Sequence, residues 1–234
     1  MLVVLSIGGS ILAKDLDPTN FAAYAEALRE LSEEHRLVVI TGGGVAARKY
    51  INAARSIGAN EVVCDFIGID VTRLNAQLLI AALGNTAYPE PPQTYKEAEL
   101  AMASGKIVVM GGVIPGQTTD AVSAVLAEYL NADLMVIATS VDGVYTADPM
   151  SDPNAKKFDV MTATELLDVV ISTEMKAGSR SPVDPLAAKI IERCNIETIV
   201  MDGKDPASIT DVVQQECIKT EPVAGVRLGT RIIG

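Results

Sequence analysis

Five short aliphatic runs, separated by stretches with helical spacing, constrain the fold of this chain more than any other feature. The runs are residues 2–5, 37–40, 107–110 and 134–137, with Ile196 and residues 199–201 as the fifth. None of these residues is charged, so each run reads as a strand buried on both faces. Between the runs, apolar residues step by three or four, as in Phe21, Tyr24, Ala25, Leu28 and Leu31, or in Val122, Val125, Leu126, Tyr129 and Leu130. Such stripes lay one helix face against a sheet. Strands alternating with helices require crossover connections, which predicts an α/β fold: a three-layer α/β/α sandwich with a mainly parallel central sheet. Apolar residues are 49% of the 234 and aromatics only 4%, so the core is built from Val, Ile, Leu, Ala and Met. One compact unit over residues 1–234 is the expectation.

The residues just after the strands indicate where such a fold acts. The first four strands run directly into Gly8-Gly9-Ser10, Gly42-Gly43-Gly44, Gly111-Gly112 and Thr139-Ser140. Open α/β sheets bind ligands beyond the carboxyl ends of their strands, where glycine lets the backbone approach an anion and helix N-termini offer free N–H groups. Glycines also simply terminate strands. Four such loops on one edge point instead to a long, phosphate-rich site.

The formal charge of −11 argues against polymeric nucleic acid as a partner, because that binding runs on clustered Lys and Arg. A small phosphorylated ligand remains compatible, since Mg²⁺, backbone N–H groups and a few placed cations act locally. Cys64, Cys194 and Cys217 form no CxxC pair, which speaks against a disulfide framework and a zinc site. No uninterrupted apolar run approaches the roughly 20 residues that span a bilayer, and residues 1–6 lack the basic flank of a signal peptide, so a cytoplasmic protein is expected.

Three segments carry further expectations. Residues 66–83 are apolar almost all round, broken mainly by Asp70, Arg73, Asn75 and Gln77, which predicts a helix buried on more than one side and a twofold contact in a homo-oligomer. Residues 172–182 read as a surface loop able to act as a lid, and residues 223–233 as an antiparallel edge hairpin.

The GxxxxGK motif of P-loop enzymes is absent, because Gly105-Lys106 continues straight into a strand. Residues 42–47 fit the degenerate G-x-G-x-x-A pattern, with Asp65 at the spacing of a ribose-binding acid, a reading that would mean NAD. That reading leaves the glycine loop before it and the third and fourth loops unexplained. Arg48 and Lys49 follow the Gly42-Gly43-Gly44 turn by one helical turn, where Arg48 suits a phosphate clamp or, more blandly, a solvated face. Residues 115–120, Pro-Gly-Gln-Thr-Thr-Asp, put hydroxyls and an amide on one loop, as a nucleobase edge requires, and Asp120 either caps the next helix or orients cations. In residues 139–149, Asp142-Gly143 favours a tight hairpin turn and Asp148-Pro149 stops the strand after it.

Gly8-Gly9-Ser10, Gly42-Gly43-Gly44, Asp65-Phe66-Ile67-Gly68, residues 115–120, 139–149 and 184–189 resemble, in order and spacing, the archaeal-type uridylate kinases of the amino-acid-kinase family. The resemblance covers nearly the whole chain and implies transfer of a phosphoryl group from ATP to UMP. It implies Mg²⁺ with the donor, a cytoplasmic homohexamer and a role in pyrimidine nucleotide biosynthesis. It places Gly9, Ser10, Gly44 and Arg48 along the ATP phosphates, and Thr139, Tyr145 and Asp148 on adenosine. Gly43, Asp65, Val113, Ile114, Pro115, Gly116, Gln117, Thr118 and Thr119 fall on UMP, and Asp120 takes a catalytic role. Residues up to about 130 form the acceptor side and residues from about 131 the ATP side.

One departure stands out. Many relatives carry a lysine on the first strand just before the glycines, whereas Leu5, Ser6 and Ile7 offer no cation here. Mg²⁺, Arg48, Lys14 and Lys189 are the candidates to meet the transferred charge. Ser140 also replaces a common asparagine. The competing readings are an isopentenyl phosphate kinase, which would need an active-site histidine where the chain has only His35, placed by its spacing at the surface; an acetylglutamate kinase; and a non-catalytic nucleotide-binding protein.

Overall fold

The computed structural model describes residues 1–147, 149, 152–174, 182–218 and 228–234. Five strands match the aliphatic runs: β1 (Leu2–Ile7), β2 (Arg36–Thr41), β3 (Val108–Met110), β4 (Leu134–Thr139) and, after one not foreseen, β6 (Thr198–Asp202). The additional strands are β5 (Val160–Thr162) and β7 (Thr230–Ile233). All seven form one sheet in the order β3-β2-β1-β4-β6-β7-β5. The first five in that order are mutually parallel, with Val4 beside Val38 and Met135 as the central register. β7 runs antiparallel to β6 and parallel to β5. β5 escapes a sequence reading because only Met161 of its three residues is buried, too little to show a period.

Nine helices lie among the described residues: α1 (Gly9–Leu12), α2 (Pro18–Ser32), α3 (Gly44–Ser56), α4 (Glu61–Leu83), α5 (Tyr95–Met102), α6 (Thr119–Tyr129), α7 (Ala163–Glu174), α8 (Pro185–Cys194) and α9 (Pro206–Ile218). Their starts follow ordinary capping chemistry. Asp17 accepts from Thr19 N–H ahead of Pro18, and Asn60 accepts from Val63 N–H at the head of α4. Alternate strand residues face two separate cores. Val3, Leu5, Val39 and Val136 pack with Tyr24, Leu28, Leu79 and Val213 on one side, while Val4, Val38, Ile40 and Met135 pack with Val122, Leu126, Leu166 and Ile191 on the other. The three-layer expectation is met.

Several local expectations are corrected. β7 lies between β6 and β5, so the described part of residues 223–233 is an interior strand and not an edge hairpin; residues 223–227 lie outside the described residues, as do 175–181 of the expected lid. Asp142-Gly143 is not a hairpin turn: Phe158 N–H donates to Val144 O and Thr146 N–H to Lys156 O, both at 2.9 Å, so the pairing partner lies farther along the chain. Gly143 instead sits at φ +150°, and a Cβ there would meet Thr230 Oγ1 at 2.5 Å.

α4 buries one face within the chain, not several. Ile69, Thr72, Asn75, Ala76, Leu79 and Leu83 face inward, whereas Phe66 and Leu74 remain 54% and 55% exposed and Val63 and Leu78 lie on the same outer side. By length and composition, residues 61–86 would suffice to cross a membrane, which counting uninterrupted apolar residues overlooked. The inner face nevertheless packs on α2, α3, β2 and β3. Two polar residues on that face tie the helix to the strand ends: Asn75 Nδ2 donates to Gly42 O at 2.7 Å, and Thr72 Oγ1 accepts from Gly112 N–H at 2.7 Å. Asn75→Ala leaves the Gly42 carbonyl unpaired, so the variant should lose about 1–3 kcal/mol and melt roughly 3–10 °C lower in calorimetry.

Candidate active site

The parallel strands bring the carboxyl ends of β3, β2, β1, β4 and β6 to one rim. The chain leaves β1 toward β2 on one side and returns later as β4 on the other, so the rim where the paired strands β1 and β4 end is the switch point where open α/β sheets place ligands. Gly8 N–H donates to Ala138 O, Gly42 N–H to Ile7 O and Gly203 N–H to Thr139 O, each at 2.9 Å.

Two glycine turns interlock there. A Cβ on Gly9 would lie 2.3 Å from Gly42 O and 2.4 Å from Gly44 N, and a Cβ on Gly44, which has φ +64°, would lie 2.3 Å from Gly9 O. Backbone against backbone at this distance admits only glycine. The turn that carries Gly9 and Ser10 therefore lies directly beside Gly43, Gly44 and the first amides of α3, a surface suited to adjacent phosphates. Arg48 stands exposed in the second turn of α3.

The loop of residues 112–119 is held from two helices. Asp65, on α4, accepts from Gly116 N–H at 2.9 Å; Tyr95, on α5, donates its hydroxyl to Gln117 Oε1 at 2.7 Å; and Arg73 Nε donates to Gly112 O at 3.2 Å. Gly116, at φ +80°, makes the turn. Val113, Ile114, Pro115, Gly116, Gln117, Thr118 and Thr119 all retain accessible surface. Asp65 is thus an anchor of this loop, a role the sequence reading did not assign to it.

Thr118, not Asp120, caps α6: its hydroxyl accepts from Ala121 N–H at 3.1 Å. Asp120 turns toward the sheet and accepts from the Ser6 hydroxyl at 2.7 Å. Ser6, at the position where relatives were expected to carry lysine, is almost fully buried and fixes this carboxylate instead. Although Asp120 keeps a small accessible surface, it is enclosed closely enough that burial dominates and raises its pKa to about 6, with the Ser6 bond opposing and the charge of Asp184 adding to the rise. Asp184 caps α8, accepting from Leu186 N–H at 2.9 Å and Ala187 N–H at 3.2 Å, and its second oxygen accepts from the Thr118 hydroxyl. The sequence signal for Asp184 was its place before Pro185, a cap signature.

On the other side Thr139 ends β4, and Lys204 reaches in from beyond β6 to donate to Ser140 O at 2.8 Å while pairing with Asp202. The Tyr145 hydroxyl donates to Asp142 at 2.8 Å, a bond that raises its pKa. Asp148 lies outside the described residues. Of the cations considered, Lys14 is exposed in the turn after α1, and Lys189 is ion-paired with Glu192 on an exposed face of α8. His35 is buried rather than at the surface: it precedes β2 at the opposite rim, with Nδ1 3.5 Å from the Met1 amine and Nε2 3.5 Å from Cys217 Sγ. It contributes nothing to this crevice.

No cluster of three His, Cys, Asp or Glu side chains suited to a metal occurs among the described residues. A magnesium ion needs no such cluster, since it takes one or two carboxylates together with substrate phosphates, and Asp120 has one oxygen not engaged by Ser6. The residues therefore fit Mg²⁺ brought in with a phosphorylated ligand.

The model of the amino acid kinase family matches residues 1–202. The chain is 78% identical over 234 residues to a uridylate kinase of Methanococcoides burtonii, covering all of both chains, and 56% identical over 215 residues to one of Halobacterium salinarum, covering 92% of this chain and 89% of that one. A crystal structure of uridylate kinase from Archaeoglobus fulgidus superposes with a TM-score of 0.85 at 41% identity, covering 99% of this chain and 100% of that one. A UMP kinase from Bacillus anthracis shares the fold with a TM-score of 0.78 at 22% identity, over 99% of this chain and 95% of that one. The chain belongs to the amino acid kinase family.

The buried charge of Asp120 has a thermodynamic consequence. A carboxyl that titrates near 6 when folded and near 3.8 when unfolded favours the native state below pH 4, and that contribution is lost as pH rises through 6. At pH 7.5 the charge therefore costs on the order of 3 kcal/mol. Asp120→Asn, which keeps the Ser6 bond without the charge, should melt several degrees above wild type at pH 7.5, with the difference closing by pH 4 in calorimetry.

Proposed function

We propose that this chain is a uridylate kinase that transfers the γ-phosphoryl group of ATP to UMP, giving ADP and UDP, in pyrimidine nucleotide biosynthesis. The observation that carries the reading is the interlock of the two glycine turns, which sets side by side two backbone surfaces of the kind that suits phosphates. The names of relatives that match along their full length point the same way.

In this reading, Gly9, Ser10, Gly44 and Arg48 follow the ATP phosphates, and Thr139, Tyr145 and Asp148 lie toward adenosine. Gly43 and Asp65 hold the phosphate and ribose of UMP, and the loop from Val113 to Thr119 reads uracil. Residues 1–130 form the acceptor half and residues 131–234 the donor half. Phosphoryl transfer asks a protein mainly for positioning and charge neutralisation. Mg²⁺ bound with ATP would supply charge neutralisation, and Asp120 is the residue placed to hold it. Ser6 keeps Asp120 aimed at the crevice, and Arg48 supplies the chain's own cation. The isopentenyl phosphate kinase alternative loses its support, because His35 sits at the far rim.

Assembly as a cytoplasmic homo-oligomer, a hexamer on family resemblance, belongs to the same proposal. The outer face of α4 leaves Val63, Phe66, Leu74 and Leu78 exposed, a patch of the kind that a twofold partner covers. Light scattering should give a mass that is a multiple of the chain's, and Phe66→Glu should lower it; a wild-type monomer would contradict the assembly. In a coupled ADP-release assay, ATP with UMP should give turnover while other nucleoside monophosphates give little. Asp65→Ala should raise the KM for UMP at least tenfold with the KM for ATP within about twofold. Tight UMP binding without turnover would favour a sensor instead.

A further inference from the structure

We infer that Asp184 is a positioning residue that holds the acceptor loop in register with the donor half, through the bond it receives from the Thr118 hydroxyl. This rests on the uridylate kinase reading.

The Thr118 hydroxyl is shared. It accepts from Ala121 N–H at 3.1 Å, as the cap of α6, and donates to Asp184 Oδ2. Asp184 is shared as well, since its Oδ1 accepts from Leu186 N–H at 2.9 Å and Ala187 N–H at 3.2 Å as the cap of α8. Neither cap needs the bond between them. A threonine caps a helix with its lone pair whatever its proton does, and an aspartate caps with one oxygen. The contact is therefore additional to both helix starts, and it joins positions 66 residues apart in the chain.

Its place gives it a function. Thr118 directly follows Gly116 and Gln117, which are anchored by Asp65 and Tyr95 from the acceptor half, whereas Asp184 belongs to the donor half. Asp120 starts two residues after Thr118, so the same bond fixes where the carboxylate held by Ser6 leaves the loop. α6 and α8 pack along one another, which keeps their two starts in reach. A charge-assisted hydroxyl–carboxylate bond is stronger than a neutral one and orients the loop sharply. Near-attack geometry is sensitive to displacements of about 1 Å, so loosening this tie should act on acceptor binding and turnover more than on ATP binding.

The test is a double-mutant cycle in the full-length protein with Thr118→Val, Asp184→Ser and the pair, reading KM for UMP, KM for ATP and kcat. Asp184→Ser retains an oxygen for the α8 cap but is too short to serve both partners. Each single variant should raise the KM for UMP about tenfold and lower kcat, with the KM for ATP within about twofold. The double variant should be no worse than the more damaging single. Thr118→Ser, which keeps the hydroxyl, should fall closer to wild type than Thr118→Val by at least fivefold in KM for UMP. Asp184→Asn, which keeps the size and the α8 cap but loses the charge, replaces Asp184→Ser in the cycle if that variant folds poorly and should raise the KM for UMP at least threefold with the KM for ATP within about twofold. Effects that multiply in the double variant, or an Asp184→Ser enzyme with unchanged constants, overturn the inference while leaving the kinase reading intact. Wild-type protein that releases no ADP with UMP overturns both.

Discussion

The structure depends on a contact between two pieces of main chain. Gly9 and Gly44 approach so closely that no side chain fits between them, and Gly44 also holds a left-handed conformation. That contact is what brings the turn after β1 against the start of α3. The rest of the crevice is arranged around it: the chain turns from β1 to β2 on one side and returns as β4 on the other, and α4 pins the second turn from behind through Asn75. A backbone interlock also has no side-chain rotamers to freeze, so this surface of main-chain amides is ordered in advance.

Around this rigid centre the polar groups are organised by helices rather than by strands. α4 offers Asp65, Thr72, Arg73 and Asn75 to the rim while keeping the rest of its inner face apolar. The start of α6 divides two tasks between neighbours, with Thr118 capping the helix and Asp120 turned to Ser6. Burying Asp120 as an anion weakens the fold at neutral pH, which is the common relation between a poised site and its host. Ser6 puts no cation on the floor of the crevice, leaving Arg48 and Lys14 as exposed cations that follow the two glycine turns along the chain.

Much of this was legible in the residues. Strands buried on both faces announce themselves as uncharged aliphatic runs, and all five runs are strands of the sheet. β5 was not foreseen, because Val160–Thr162 buries a single side chain, and β7 was read as an antiparallel strand but put at the edge, because its pairing with β5 on the far side depends on a strand with no signal of its own. The glycine turns were legible because steric exclusion leaves glycine as the sole solution. Thr72, Tyr95 and Asp184 were missed as site residues for the opposite reason: a hydroxyl or carboxylate that ties one loop to another depends on tertiary placement, and the one short-range signal among them, Asp184 before Pro185, announces a helix cap and not the tie to Thr118. His35 was misplaced at the surface because a helix–strand connection is usually exposed, whereas here the N-terminal amine and Cys217 close over it.

The most direct test of two nucleotides meeting across the interlocked turns is a crystal structure with UMP and a non-hydrolysable ATP analogue bound together. The account predicts the γ-phosphate analogue and the UMP phosphate facing each other over the amides of Gly9, Ser10, Gly43 and Gly44, with uracil against the loop that carries Gln117. Phosphates bound on different rims of the sheet, or a nucleotide seated away from both glycine turns, would contradict it.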